Sequence, residues 1–153
     1  MSKKEWFDKI ENPLAREWFK MGNEDFRYAK DTFSDTENYR MICFICHQVF
    51  EKYLKGYLQL NGCMIPRIHN LLELAKISAK LNKHFLNYEG TYIELNDYYI
   101  DTRYPVMAYG EIFKKKDAFD ALRSVKEFEK FIIIIINNFY AKEGNKRGKK
   151  QKD

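Results

Sequence analysis

Phe128-Glu129-Lys130-Phe131-Ile132-Ile133-Ile134-Ile135-Ile136-Asn137-Asn138-Phe139 decides the fold class. Read alone, five consecutive isoleucines suggest a buried strand, because β-branched side chains suit a pleated surface. The residues around the run answer differently. Ala118, Ala121, Leu122, Val125 and Phe128 approach it at helical spacing, and Ile132, Ile135 and Phe139 carry that spacing through it. The pattern predicts a helix from about Asp117, and removes the only strand candidate from the chain.

The same periodicity organises the segments before it. Asn12-Pro13 is a helix start, a capping residue followed by Pro at the first helical position. Ala15, Phe19, Gly22, Phe26, Ala29 and Phe33 then step by fours and threes along one face, with Gly22 placed for a close helix crossing. A second helix is predicted from about Glu37 to Leu60, ending at Asn61-Gly62. Its first half, Met41 to Cys46, is apolar all round and must be covered by its own bundle or by another subunit. Its second half reads as amphipathic, with Gln48, Glu51, Lys52, Lys55 and Gln59 on the wet side. A short third helix follows His69-Asn70, and a fourth spans roughly Lys83 to Tyr99. Asp101 to Lys116 reads as a loop, since Pro105 disfavours helix at Tyr104. The predicted fold is an all-α, up-and-down antiparallel bundle of four long helices and one short helix.

Composition narrows the possibilities further. The 153 residues are 45% hydrophobic and 32% charged, which excludes overall disorder. No apolar run approaches the roughly 20 residues of a membrane helix, and the N-terminus lacks the apolar stretch of an export signal. The expectation is a cytoplasmic protein with no membrane association. The formal charge of +5 is concentrated in residues 141–153, where six Lys or Arg face Glu143 and Asp153. The other 140 residues hold 21 positive and 20 negative charges. These shifts suggest an N-terminal extension over 1–11, a bundle over 12–140 and a basic, disordered tail over 141–153.

Few motifs point to chemistry. Cys43-Phe44-Ile45-Cys46-His47 spells the c-type haem attachment string, but it falls inside a helix with both Cys on the apolar side. The string reads as chance, and no haem, metal or other cofactor is expected. His69 and His84 stand apart from any carboxylate that spacing identifies, although His69 is placed to cap the third helix. Arg103, set among tyrosines where a helix gives way to a Pro loop, suits bidentate pairing with phosphate or carboxylate. Tyr104 and Tyr109 beside it suit stacking on a base. The opposite reading, in which Arg103 ties the loop to Asp97 or Asp101 and Tyr104 plugs the bundle, stands equally open.

Four landmarks in order carry a family resemblance. Trp18, Glu24-Asp25 and Ala29 form the first, and His47-Gln48-Val49-Phe50-Glu51-Lys52-Tyr53-Leu54-Lys55 the second. Pro66 to Leu74, PRIHNLLEL, and Tyr99-Ile100-Asp101-Thr102-Arg103-Tyr104-Pro105 complete the set. From Trp18 to Phe139 the chain resembles the HEPN domain (higher eukaryotes and prokaryotes nucleotide-binding). The resemblance implies a helical bundle that commonly forms a homodimer and associates with a nucleotide or RNA. A minimal nucleotidyltransferase is often its partner, as toxin and antitoxin or as a two-part nucleotidyl-transfer system.

Many members of that family are metal-independent ribonucleases with an Arg-x(4–6)-His motif, in which Arg holds the phosphate and His moves the proton. This sequence departs from the motif, because no His follows Arg103. Tyr109 occupies a permitted position, but a phenol of ordinary pKa near 10 is a poor base at neutral pH. Arg40 and His47 match the string formally, in the wrong helix. The expectation is therefore an auxiliary module rather than an enzyme, binding through Arg103, Tyr104, Tyr109 and Asp101 with support from Glu51, Lys52 and Lys55. The alternative is a ribonuclease toxin using Arg103 with Tyr109 or another base.

Overall fold

The computed structural model describes residues 3–101 and 113–152. Five α-helices account for most of them: α1 Pro13–Asp35, α2 Tyr39–Leu60, α3 Leu71–Ala79, α4 Glu89–Asp101 and α5 Lys115–Lys152. No strand occurs among the described residues, and the isoleucine run is helical. Ile132, Ile135 and Ile136 are buried while Ile134 is 57% exposed, as one face of a helix requires.

Side-chain caps set where the helices begin. The Asn12 side chain accepts from the Leu14 and Ala15 amides at 3.0 and 3.1 Å. Asn38, Asn70 and Asn82 act alike on Met41, Glu73 and His84. At α5 the Asp117 carboxylate accepts from the Lys114 amide at 2.9 Å, so the helix opens two residues before the predicted start. The close of α2 is a Schellman turn. Gly62 sits at φ +71°, its amide donates to the Gln59 carbonyl, and the Cys63 amide donates to that of Leu58.

Helix α2 is the hub, packed by α1, α3, α4 and α5. Two glycines let α1 and α2 approach. A β-carbon on Gly22 would lie 2.6 Å from the Tyr53 ring, and one on Gly56 would lie 2.9 Å from that of Phe19. On the other side of α2, Phe50 and Phe128 of α5 stack at 4.3 Å, ringed by Tyr53, Phe85, Tyr88 and Tyr92. The all-apolar segment is covered in part from within: Ile42, Cys43 and Cys46 are fully buried, while Met41, Phe44 and Ile45 are half-buried.

Four expectations change. The segment predicted as an N-terminal extension packs on the bundle from Trp6 on, because Phe7 and Ile10 are buried and Trp6 packs edge-on to Phe19 and Tyr53. Their apolar side chains close the bundle beside α1, a pattern too short to show a period. The fourth helix opens as a 3₁₀ turn over Lys83–Tyr88, pinned by the Asn82 cap and by the Tyr92 hydroxyl donating to the Phe85 carbonyl. Gly90 then falls in the first turn of α4, where it costs little. The basic stretch from residue 141 continues α5 to Lys152 instead of leaving it. Positive charge is favourable at a helix C-terminus, and Arg147 reaches back to Glu11 at 3.4 Å.

The fourth change concerns α2. Glu51 and Lys55, assigned to the wet face, are 5% and 7% exposed. His69 of the 66–70 loop comes down on Glu51, and Trp18 of α1 lies beside Lys55. Among the described residues no helix is long and apolar enough to cross a membrane.

Candidate functional site

A buried carboxylate needs partners, since an unpaired charge in the interior costs several kcal/mol. Glu51 has two. Its Oε1 accepts from Lys55 Nζ at 2.8 Å, one helical turn on, and from His69 Nδ1 at 2.8 Å. The other oxygen, Oε2, is buried without a hydrogen bond. Lys55 Nζ also lies 5.8 Å above the Trp18 ring of α1, a cation–π contact that helps hold the ammonium away from water.

His69 is fixed from a second direction. Its ring stacks on that of Tyr99 from α4, with centroids 5.4 Å apart and planes at 22°. Tyr99 in turn lies 4.6 Å from the ring of His47 and 6.0 Å from that of Phe44, which is nearly parallel to it. The loop carrying His69 is anchored next door. Asn96 of α4 accepts from the Leu71 amide at 2.8 Å and donates to the Asn70 side chain at 3.0 Å. Asn70, not His69, caps α3.

The two imidazoles near Tyr99 differ in kind. His47 is fully buried, and that burial lowers its pKa to about 4. The Glu51 carboxylate and the hydrogen-bonding groups of His69 and Asn96 oppose the shift without cancelling it. His47 is neutral at physiological pH. His69 keeps 58% of its side chain exposed. Because an ionised carboxylate only accepts, His69 Nδ1 is the donor, which in the neutral ring leaves Nε2 as an acceptor.

The remaining site expectations fare variously. Lys52, predicted alongside Glu51, pairs instead with Asp25 of α1. Asp101 closes α4, while Arg103, Tyr104 and Tyr109 lie outside the described residues. Burial raises the Cys43 thiol to about 12 and pushes Cys46 well above its ordinary value, so neither offers a thiolate at neutral pH. Among the described residues no three His, Cys, Asp or Glu are grouped to hold a metal ion. Clefts of about 470 and 250 Å³ flank the far end of α5 and involve none of the Glu51 cluster.

His69, Tyr99, Asn96 and Trp18 were not singled out as site residues from spacing. His69, Tyr99 and Trp18 each sit in a different family landmark and Asn96 lies just before the fourth, yet no local pattern joins them. Glu51 and Lys55 come from the second landmark, His69 from the third, Tyr99 from the fourth and Trp18 from the first. No curated protein and no solved structure matches the chain. The family model of the HEPN domain matches residues 15–136, and the chain belongs to that family.

Proposed function

We propose that this HEPN protein is a nucleotide- or RNA-associated module, and that its ligand is received beside the Glu51–His69–Tyr99 cluster. One observation supports this above others. Residues from four sequence landmarks, spread over more than 80 residues, form one chain of contacts around a buried carboxylate: Trp18 on Lys55, Lys55 and His69 on Glu51, and the half-exposed His69 on Tyr99. Rings at a surface accept a stacked base, and an imidazole edge accepts a polar hydrogen. Arg103 follows Tyr99 by four residues in the chain, and we assign it the phosphate, with Tyr104, Tyr109 and Asp101 as its neighbours in sequence.

The working unit in this reading is a homodimer, with a minimal nucleotidyltransferase as its second partner in a toxin–antitoxin pair. Ile93 and Ile100, seven apart on α4 and 46% and 50% exposed, provide an apolar stripe for a second copy. Titration calorimetry with ATP and with a short single-stranded RNA tests the reading. Binding that Arg103→Ala weakens at least tenfold supports it; absence of heat with both ligands contradicts it. A monomeric mass by light scattering at micromolar concentration contradicts the dimer, and a neighbouring reading frame for a small nucleotidyltransferase supports the partner.

A further inference from the structure

We propose that the cleft of about 470 Å³ beside the far end of α5 is a docking site for an acidic segment of a partner protein, a short peptide in which carboxylates flank an aliphatic residue. The proposal is independent of the ligand reading above, because the cleft involves none of the Glu51 cluster.

The cleft exists because α5 continues as a helix past residue 141, which turns a run of basic residues into a wall. Lys142 and Lys146, one helical turn apart, line it together with Asn145, and all three are exposed. The turn after α3 forms the other wall. Leu81 there is 49% exposed, and exposed Lys80 and Lys83 bracket Leu81-Asn82 in the chain. Tyr57 and Ile135, each 7% exposed, lie at the bottom. Glu143 is the one carboxylate of the lining, 3.8 Å from Lys146, and Lys142 has no carboxylate partner among the described residues. A cleft with cations of one sign along it focuses the field and draws an anion.

The rest of the lining selects a peptide over a nucleic acid. A base needs an open ring to stack on, and the rings here are engaged. Tyr57 is buried against Phe85, with centroids 4.5 Å apart, and Phe139 packs edge-on to Tyr140. Phosphate is best gripped by the fork of an arginine, but the cations of this lining are lysines, and Arg147 reaches to Glu11 instead. What stays open is aliphatic, amide and ammonium. Leu81 and Ala141 suit an apolar side chain, Asn138 and Asn145 suit peptide N–H and C=O groups, and the lysines suit carboxylates.

The test is fluorescence anisotropy of the full chain with a labelled peptide, Glu-Leu-Glu-Glu-Leu-Glu. Saturable binding at micromolar protein, weakened by added salt, is the expected result. Lys142→Glu combined with Lys146→Glu should weaken it about tenfold. Lys126→Glu combined with Lys130→Glu is the same reversal at the same spacing, about 18 Å back along α5, and should leave it nearly unchanged. Ala141→Trp fills the cleft without altering its charge and should weaken binding severalfold. All five positions are exposed, so the variants should fold. No saturable binding, or an equal loss in both double variants, overturns the docking site. Tighter binding of a uridine hexanucleotide than of the peptide, lost in Lys142→Glu with Lys146→Glu, makes the cleft a nucleic-acid groove and overturns the peptide assignment.

Discussion

His47 and His69 lie against the same tyrosine ring, yet the structure gives them opposite chemistry. His47 is sealed between helices, and desolvation keeps it neutral down to about pH 4. His69 meets the same ring from the loop side, with a carboxylate on one nitrogen and more than half of its side chain exposed. The contrast shows that a ring's usefulness here depends on its second partner and its access, because nearness to Tyr99 is common to both. It also separates two faces of one cluster: the buried side is packed between helices, and the loop side opens to solvent.

The largest expected effect comes from removing the group that serves both sides. Glu51→Ala strands Lys55 in the interior and should cost about 3–5 kcal/mol in urea-induced unfolding. A loss below 1 kcal/mol would mean that the pair is hydrated and the cluster less buried than described. The next effect concerns pH. His47 binds its proton near 6.5 when unfolded and near 4 when folded, so the unfolded state takes up protons first as pH falls. Its contribution is fully present above about pH 6.5 and fades between 6.5 and 4, by on the order of 3 kcal/mol in total. His47→Gln should flatten that part of the stability profile, measured by denaturation at pH 7, 6 and 5.

Smaller changes sharpen the distinction. Tyr99→Leu should cost about 1 kcal/mol from lost ring contacts and, by admitting water, raise the His47 midpoint from about 4 toward its ordinary value. His69→Gln should change stability by less than about 1 kcal/mol, since the side chain is more than half exposed and Gln can still donate to Glu51. A larger loss would place His69 among the packing residues, with His47.

The same contrast explains what was legible in the sequence. The helices were, because their signals are local: Asn12-Pro13 at the start of α1, Asn61-Gly62 at the end of α2, and the spacing through the isoleucine run. Gly22 was placed at the crossing for the reason the Tyr53 ring now shows. The cluster was not legible, because amphipathic patterning treats every charge as solvated, and nothing between residues 51 and 69 announces that a loop returns to cover Glu51. Trp6, Phe7 and Ile10 escaped for a related reason: three apolar residues have no period to detect. The basic stretch past residue 140 was read from composition, which does not register the pull of a helix C-terminus on positive charge. Lys52 shows the opposite error, a residue grouped with its sequence neighbours that turns toward α1 instead.

The central claim is that Glu51 holds one imidazole at the surface while burial silences the other. Long-range ¹H–¹⁵N correlation spectra of the three histidines, recorded from pH 8 to pH 5, test it directly. The account predicts a proton on His69 Nδ1, held toward Glu51, and a His47 with no titration above pH 5. A His69 ring protonated on Nε2 alone, or a His47 that titrates near its ordinary value, would contradict it.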